Sequence, residues 1–272
     1  MQLNKEGFPV FLESALTSVD VSWQEIVRLS LREIQQRHPD YFLNLSQSDF
    51  LPDADKLFAA FAVPMAQVKF VLFGEGPYPR RASATGFCFM DGMITGLWSE
   101  QLGAGFSKPV NRATSLRNFL KMCLVAEGRL SADNTSIEAI ASIAKQSHLE
   151  NFPLVHTMQD LQDNFLKHGF LLLNAALIFR PEVKPAIEAK AWQILHRHVL
   201  AALAKQNKEQ KQAKTVTQLI LWGKVAEQIS MMIDPLDVDH LPSLVAEHPY
   251  NLSFIQNAEM QTLFSSLRIL HY

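Results

Sequence analysis

The stretch GEGPYPRRASATGFCF, Gly74–Phe89, concentrates residue types that could do chemistry. A Gly-Glu-Gly-Pro turn holds one carboxylate, Glu75, and is followed by two aromatic residues, Tyr78 and Phe89, and two adjacent guanidinium groups, Arg80 and Arg81. An apolar run before it, VKFVLF (Val68–Phe73), reads as a buried strand. In open α/β sheets, ligands bind at the carboxyl ends of the strands. A tight turn, ring faces and cations at such an end suit a flat, base-like ligand carrying phosphates. Two further apolar runs end on polar residues, Asn174 after FLLL and His248 after SLVAE. An amide such as Asn174 offers a donor and an acceptor on one edge. In isolation it reads better as the cap of a strand end, and a lone His beside Pro249 reads as structural.

These residues need elements to position them. Val21–His38 places Trp23, Ile26, Val27, Leu29 or Ser30, and Ile34 at helical spacing, and a second helix, LFAAFAV, is expected after Asp53–Asp55. A helix in RATSLRNFLKMCLVAEG has Thr114 or Ser115 as its expected N-cap, and Ser131 to Lys167 reads as helical. The strand FLLLN, a helix over about 185–205, a strand at Thr217–Gly223, the helix KVAEQISMM and a last strand at Pro242–His248 complete the pattern. Four short apolar strands separated by helices predict a three-layer α/β/α fold around a central four-stranded parallel sheet. One domain over 1–272 is expected, with 1–65 as its N-terminal helical part.

Composition narrows the class. The 272 residues are 48% hydrophobic, enough for a sizeable core, and no apolar run approaches the ~18 residues that would span a bilayer. The first residues, MQLNKEGFPVFLESAL, lack a basic region ahead of a long apolar core, which argues against a signal peptide. Two cysteines, Cys88 and Cys123, cannot form a four-thiolate cluster or zinc site, and so few suit a cytoplasmic location. The formal net charge is -2, but Gln101–Ala126 contains no acidic residue beside Lys108, Arg112, Arg117 and Lys121. That distribution fits either salt-sensitive DNA binding or an unevenly charged solvated face. Lys205, Lys208, Lys211 and Lys214 read as a polar helix end or linker, and acidic residues collect in DPLDVD, Asp234–Asp239.

The Gly74–Phe89 stretch resembles the first motif of the uracil-DNA glycosylase superfamily, most closely its family 1. There GQDPYH precedes GLCF at the spacing seen here between GEGPYP and GFCF, Gly86–Phe89. Four further segments agree in order: RATSLRNF with PPSLKN, GFLLLNAALIF with LLLN, LILWG with LLWG, and EHPYNLSF (Glu247–Phe254) with HPSPLS. The resemblance spans roughly residues 68 to 255. It implies an enzyme of base excision repair that flips uracil, or a related damaged base, out of DNA and hydrolyses its N-glycosidic bond. It implies no metal or redox cofactor, no membrane, and a monomer on single- or double-stranded uracil-containing DNA. Sensitivity to a uracil-mimicking protein inhibitor stays open. The roles implied are base recognition by Asn174, stacking by Phe89, exclusion of the thymine methyl by Tyr78, and stabilisation of the departing anion by His248. Leu252 enters the vacated stack, and Arg80, Arg81, Ser115, Arg117 and Ser253 contact DNA. Asn174 suits the task, because uracil's O4 and N3–H complement an amide whereas cytosine presents the reverse edge.

Two departures bear on chemistry. The family's catalytic Asp is Gly76 here, and the His after its Tyr is Pro79. That Asp orients water and stabilises a cationic sugar, and losing such a charge costs on the order of 10²–10³ in rate. Glu75 beside a small residue resembles the GEAPG motif of other branches, and could orient water or merely hold the loop; Asp91 is a more distant carboxylate. Gly76 also enlarges the base pocket. Two classes of function follow: a divergent glycosylase, or a catalytically impaired DNA- or base-binding protein on the same fold.

Overall fold

The computed structural model describes residues 8–101, 103–147, 152–209, 216–233 and 240–272. The start of the chain, the DPLDVD run, Lys211 and Lys214 lie outside the described residues. Helices α1 (Val10–Leu16), α2 (Val21–Arg37) and α3 (Tyr41–Ser46) precede β1 (Phe70–Gly74). Helices α4 (Lys108–Arg112), α5 (Thr114–Ala126), α6 (Ile137–Ser147) and α7 (Met158–Lys167) lead to β2 (Phe170–Asn174). Then come α8 (Pro185–Glu209), β3 (Gln218–Trp222), α9 (Lys224–Ile233), β4 (Ser243–Ala246), a 3₁₀ turn at Leu252–Gln256, and α10 (Ala258–Leu267).

The four strands form one parallel sheet in the order β2-β1-β3-β4, with helices on both sides, as the apolar runs predict. β1 pairs with β2 from Phe70↔Phe170 to Gly74↔Asn174, and with β3 from Phe70↔Gln218 to Phe73↔Leu221. The runs FVLF and FLLLN are buried throughout, because helices cover a parallel sheet on both faces and leave no side for polar alternation.

Several local expectations differ from the structure. Ser131–Lys167 is two helices, α6 and α7, because Pro153 cannot sit in a helix interior and a Thr157–Asp160 capping box starts α7 afresh. LFAAFAV forms only a short 3₁₀ turn at Ala59–Ala62, with another at Ala54–Lys56 just ahead of it, since Pro64 keeps Val63 extended. GFCF, whose apolar residues give it a strand-like pattern, is a bend. The N-cap of α5 is Ala113, so Thr114 and Ser115 lie in its first turn.

Among the described residues the chain divides into two compact units. The first holds Met1–Asp91, Gly169–Leu221 and Val225–Ser243; there α2 packs along α8, with Trp23 and Trp192 fully buried. The second holds Gly92–His168, Trp222–Lys224 and Leu244–Tyr272. Its centre is an aromatic cluster of Phe119, Phe165, Phe254, Phe264 and Trp222, in which Trp222 packs as expected. Among the described residues no helix is long and apolar enough to cross a membrane.

Candidate functional site

In the first unit, the ends of β1 and β2 are fused by backbone. Ala175 N–H donates to the Gly74 carbonyl at 2.7 Å and Ala176 N–H to the Glu75 carbonyl at 3.0 Å, extending the ladder past both strands. Gly74 has to be glycine for a reason of space: a Cβ there would stand 2.8 Å from both Asn174 Oδ1 and Cys88 Cβ. The side chain of Asn174 is therefore seated against bare backbone. It is 4% exposed, and its Oδ1 has no hydrogen-bond partner. A buried acceptor without a donor costs about 1–3 kcal/mol. Below it lies a residue the motifs did not point to, His196 of α8, whose Nε2 is 3.0 Å from the Ala175 carbonyl and whose ring meets Phe73 edge-on. Burial pushes its pKa down to about 4, so the ring is neutral and its Nε2–H donates to that carbonyl.

Tyr78 and Phe89 belong to the same unit. Desolvation first, then the carboxylate of Asp91, pushes the Tyr78 phenol up to about 12. The bend bearing Phe89 is pinned by bridge pairing of Ala84 with Asp91, by the Thr85 hydroxyl donating to the Met90 carbonyl at 3.0 Å, and by Cys88 N–H donating to Leu172 at 3.2 Å. Phe89 itself has φ 66°, a left-handed conformation costing a non-glycine residue about 1–2 kcal/mol. Asp91 is buried with Arg80 Nη2 at 3.5 Å, which makes it a partner in the loop more than a free carboxylate. Arg81 pairs with Asp49 at 2.9 Å and with Asp53. Both arginines therefore have carboxylate neighbours within this unit. Burial pushes the Cys88 thiol up, and it behaves as the small buried group expected of it.

Glu75 is exposed and, with Gly76, lines a cleft of about 200 Å³, room for several waters. Pro79, Ala176, Phe179 and Glu188 line it too; Tyr78, Phe89 and Asn174 do not. The Glu188 carboxylate is engaged by Arg180 and by the Tyr41 hydroxyl at 2.8 Å. Gly76 is not held to glycine by its backbone. A Cβ there would make ordinary contacts of 3.6 Å with Ala176 Cβ and the Ala176 carbonyl oxygen.

The second unit holds the remaining sequence candidates. His248 follows β4, and Gly223, at the end of β3, makes room for it: φ is 62°, and a Cβ would lie 2.8 Å from His248 Cβ. Tyr250 N–H donates to His248 Nδ1 at 3.1 Å. A ring nitrogen that accepts carries no proton, so the neutral imidazole bears its hydrogen on Nε2. Asn118 of α5 is fully buried and donates to the carbonyls of Pro249 at 2.8 Å and Tyr250 at 3.2 Å, tying the helix to the loop. Leu252 stands 69% exposed, and Ser253 beside it is exposed on the same 3₁₀ turn. Ser115 is half-buried in the first turn of α5, and Arg117 Nη1 donates to the Asn111 carbonyl at 2.7 Å. Glu75, Gly76, Tyr78, Arg80, Arg81, Phe89 and Asn174 thus share one unit, and Ser115, Arg117, His248, Leu252 and Ser253 the other.

Comparison with known proteins agrees with this fold. The wild-type UNG crystal structure from Nitratifractor salsuginis is 34% identical, with 96% of each chain covered and a TM-score of 0.80. A uracil-DNA glycosylase of Xanthomonas axonopodis pv. citri is 28% identical over 239 residues, 86% of this chain and 78% of that one. One from Corynebacterium glutamicum is 23% identical over 215 residues, 77% and 72%. No protein-family model matches the chain.

Proposed function

The chain belongs to the uracil-DNA glycosylase superfamily, and from that premise we propose that it flips uracil, or a related damaged base, out of DNA and hydrolyses the N-glycosidic bond. The observation behind this reading is Asn174: a buried amide oxygen without a donor, at the carboxyl end of β2, awaiting an N–H. The N3–H of uracil supplies one, and O4 accepts from the amide nitrogen on the same edge. Phe89 stacks on the base, and Tyr78, neutral at every physiological pH, stands where a thymine methyl would go. His248 donates Nε2–H to O2 as negative charge develops on the leaving base. The exposed carboxylate of Glu75 orients water in the cleft it shares with Gly76 and stabilises the cationic sugar. Leu252 fills the vacated stack, while Arg80, Arg81, Ser115, Arg117 and Ser253 hold the backbone, Arg80 and Arg81 exchanging protein carboxylates for phosphates. The protein acts as a monomer in the cytoplasm, in base excision repair, without cofactor.

Gly76 favours one alternative, a protein that binds the base and does not cut. The deciding measurement is release of free uracil from a single-stranded, uracil-containing oligonucleotide, with Asn174→Ala as the contamination control. Abasic product from the wild type alone is the expected result. Uracil-dependent binding with no product under excess protein would establish the binding-only alternative.

A further inference from the structure

The HPYN loop departs from the family pattern in a way that adds a surface. The position after His248-Pro249, a serine in HPSPLS, is Tyr250, and its side chain is 67% exposed. Two residues on, Leu252 is 69% exposed. Large apolar side chains standing in water on one short loop mark a contact surface when the loop cannot fold them away. Here it cannot. Tyr250 N–H is committed to His248 Nδ1, its carbonyl to Asn118 Nδ2, and Asn251 N–H to the His248 carbonyl at 2.9 Å. The backbone beneath the ring is fixed from both sides by groups of the same unit.

The surroundings select the partner. Asn118 joins this loop to α5, and α4 and α5 carry Lys108, Arg112, Arg117 and Lys121 with no acidic residue between Gln101 and Ala126. The nearest carboxylate in sequence, Glu247, accepts from Asn257 Nδ2 at 2.9 Å. An exposed aromatic face on a rigid loop, joined to cationic helices, matches the recipe for single-stranded nucleic acid: cations track the backbone and rings stack on bases.

We infer that Tyr250 is a stacking platform for the nucleobase next to the flipped nucleotide, so that this chain grips an unpaired strand through an aromatic contact where the family's serine offers only a hydroxyl. The inference rests on the proposed function, since it needs DNA in the site, but it names a residue and a contact outside that mechanism. A ring in place of a hydroxyl adds a stacking face, which favours flexible single strands whose bases can turn to meet it.

The test is a cycle between protein and DNA. Affinities are measured by fluorescence anisotropy for single-stranded oligonucleotides carrying one 2′-fluoro-2′-deoxyuridine, which resists hydrolysis. They are then remeasured with the neighbouring base on either side replaced by a tetrahydrofuran abasic analogue. Tyr250→Ala is expected to weaken binding roughly 5- to 150-fold on the intact strand. That difference should shrink to about twofold once the stacked base is absent, as expected when one partner of an interacting pair is already gone. Tyr250→Phe should bind within about twofold of wild type, because the ring and not the hydroxyl does the work. Equal affinity of Tyr250→Ala and wild type, while uracil is still preferred over thymine in an Asn174-dependent way, would overturn the stacking role and leave the glycosylase reading standing. So would a Tyr250→Phe defect as large as that of Tyr250→Ala. Wild-type protein that bound none of these strands would overturn both. The exposed ring contributes little to the fold, and matching thermal melts of the three proteins verify that.

Discussion

Asn174→Ala separates recognition from stability, because the two readings of this residue require opposite results. As a strand-end cap, Asn174 would hold the fold together, and losing it would cost what a buried truncation usually costs, about 2–5 kcal/mol. As a base reader, it is a liability in the free protein: Oδ1 is buried with no donor, a cost of about 1–3 kcal/mol that truncation removes. Packing lost with the amide offsets much of that gain, so stability is expected to stay within about 1 kcal/mol of wild type. The substrate feels the reverse. Two hydrogen bonds vanish, and a site built around a hydrogen-bonded edge discriminates by factors up to ~10⁴ when that edge is unmatched. Uracil release should fall at least ~100-fold. Urea unfolding with linear extrapolation gives the first quantity and single-turnover uracil release the second. A loss of about 2 kcal/mol or more with release unchanged would refute the base-reading assignment and make Asn174 a cap.

Glu75→Gln should lower single-turnover release ~100-fold or more, the size of a lost preorganised charge, with an unchanged melting temperature because the side chain is exposed. Gly76→Asp should raise release, since its Cβ meets nothing closer than 3.6 Å; no gain would mean the reacting sugar lies elsewhere. Gly223→Ala should lower release at least ~10-fold and stability by about 1 kcal/mol or more, because φ is 62° and the new Cβ would displace His248. Finally, stability should depend on pH through His196. Its ring takes a proton near 6.5 when unfolded but only near 4 when folded, so its contribution is complete above 6.5 and is lost as pH falls through 4. The difference of 2.5 pH units corresponds to about 3 kcal/mol. His196→Gln, which can still donate to Ala175, should flatten urea midpoints across that window, and an undiminished slope would assign the effect to other groups.

The sheet was legible because its signal is redundant. FVLF and FLLL each run four positions without a polar residue, too short for a helix and suited to a strand covered on both faces. The same argument puts Asn174, Gly223 and His248 at strand ends: Asn174 closes β2, Gly223 directly follows β3, and His248 lies two residues past β4, which is shorter than the Pro242–His248 run suggests. What could not be read are features that exist only in three dimensions. His196 is one histidine in a 25-residue helix, with no spacing that ties it to Ala175. Asn118 sits inside a matched segment, yet its bond to the Pro249 carbonyl spans 131 positions. GFCF looked like a strand because its residues are apolar, while Gly86 at φ 85° and Phe89 at φ 66° bend it. The helical reading of Ser131–Lys167 does not mark where one helix gives way to the next, because the capping box that starts α7 at Thr157 is a weak signal in sequence.

The distribution of energetic costs bears on whether this is an enzyme or a relic. Asn174 and Asn118 each bury an amide oxygen without a partner, His196 buries an unpaired Nδ1, and Phe89 occupies a left-handed conformation. Such costs are not confined to the site, since Ser83 Oγ and Trp192 Nε1 are also buried without a partner and Arg268 is also left-handed, but these four fall on residues that would read and stack the base or on those that hold them and the His248 loop. None is needed to close the sheet. The two departures from the family motif have a different character. Gly76 lies in ordinary backbone with room for a side chain, and Pro79 is exposed, so neither position is demanded by the fold. What has changed is charge on the water side, and what has stayed is costly recognition geometry on the base side. A scaffold that no longer bound a base would gain stability by relaxing the second set. On the proposed reading that set is kept for a bound base, and Glu75, in the same turn as the missing aspartate, is the carboxylate whose removal decides whether the bond is cut.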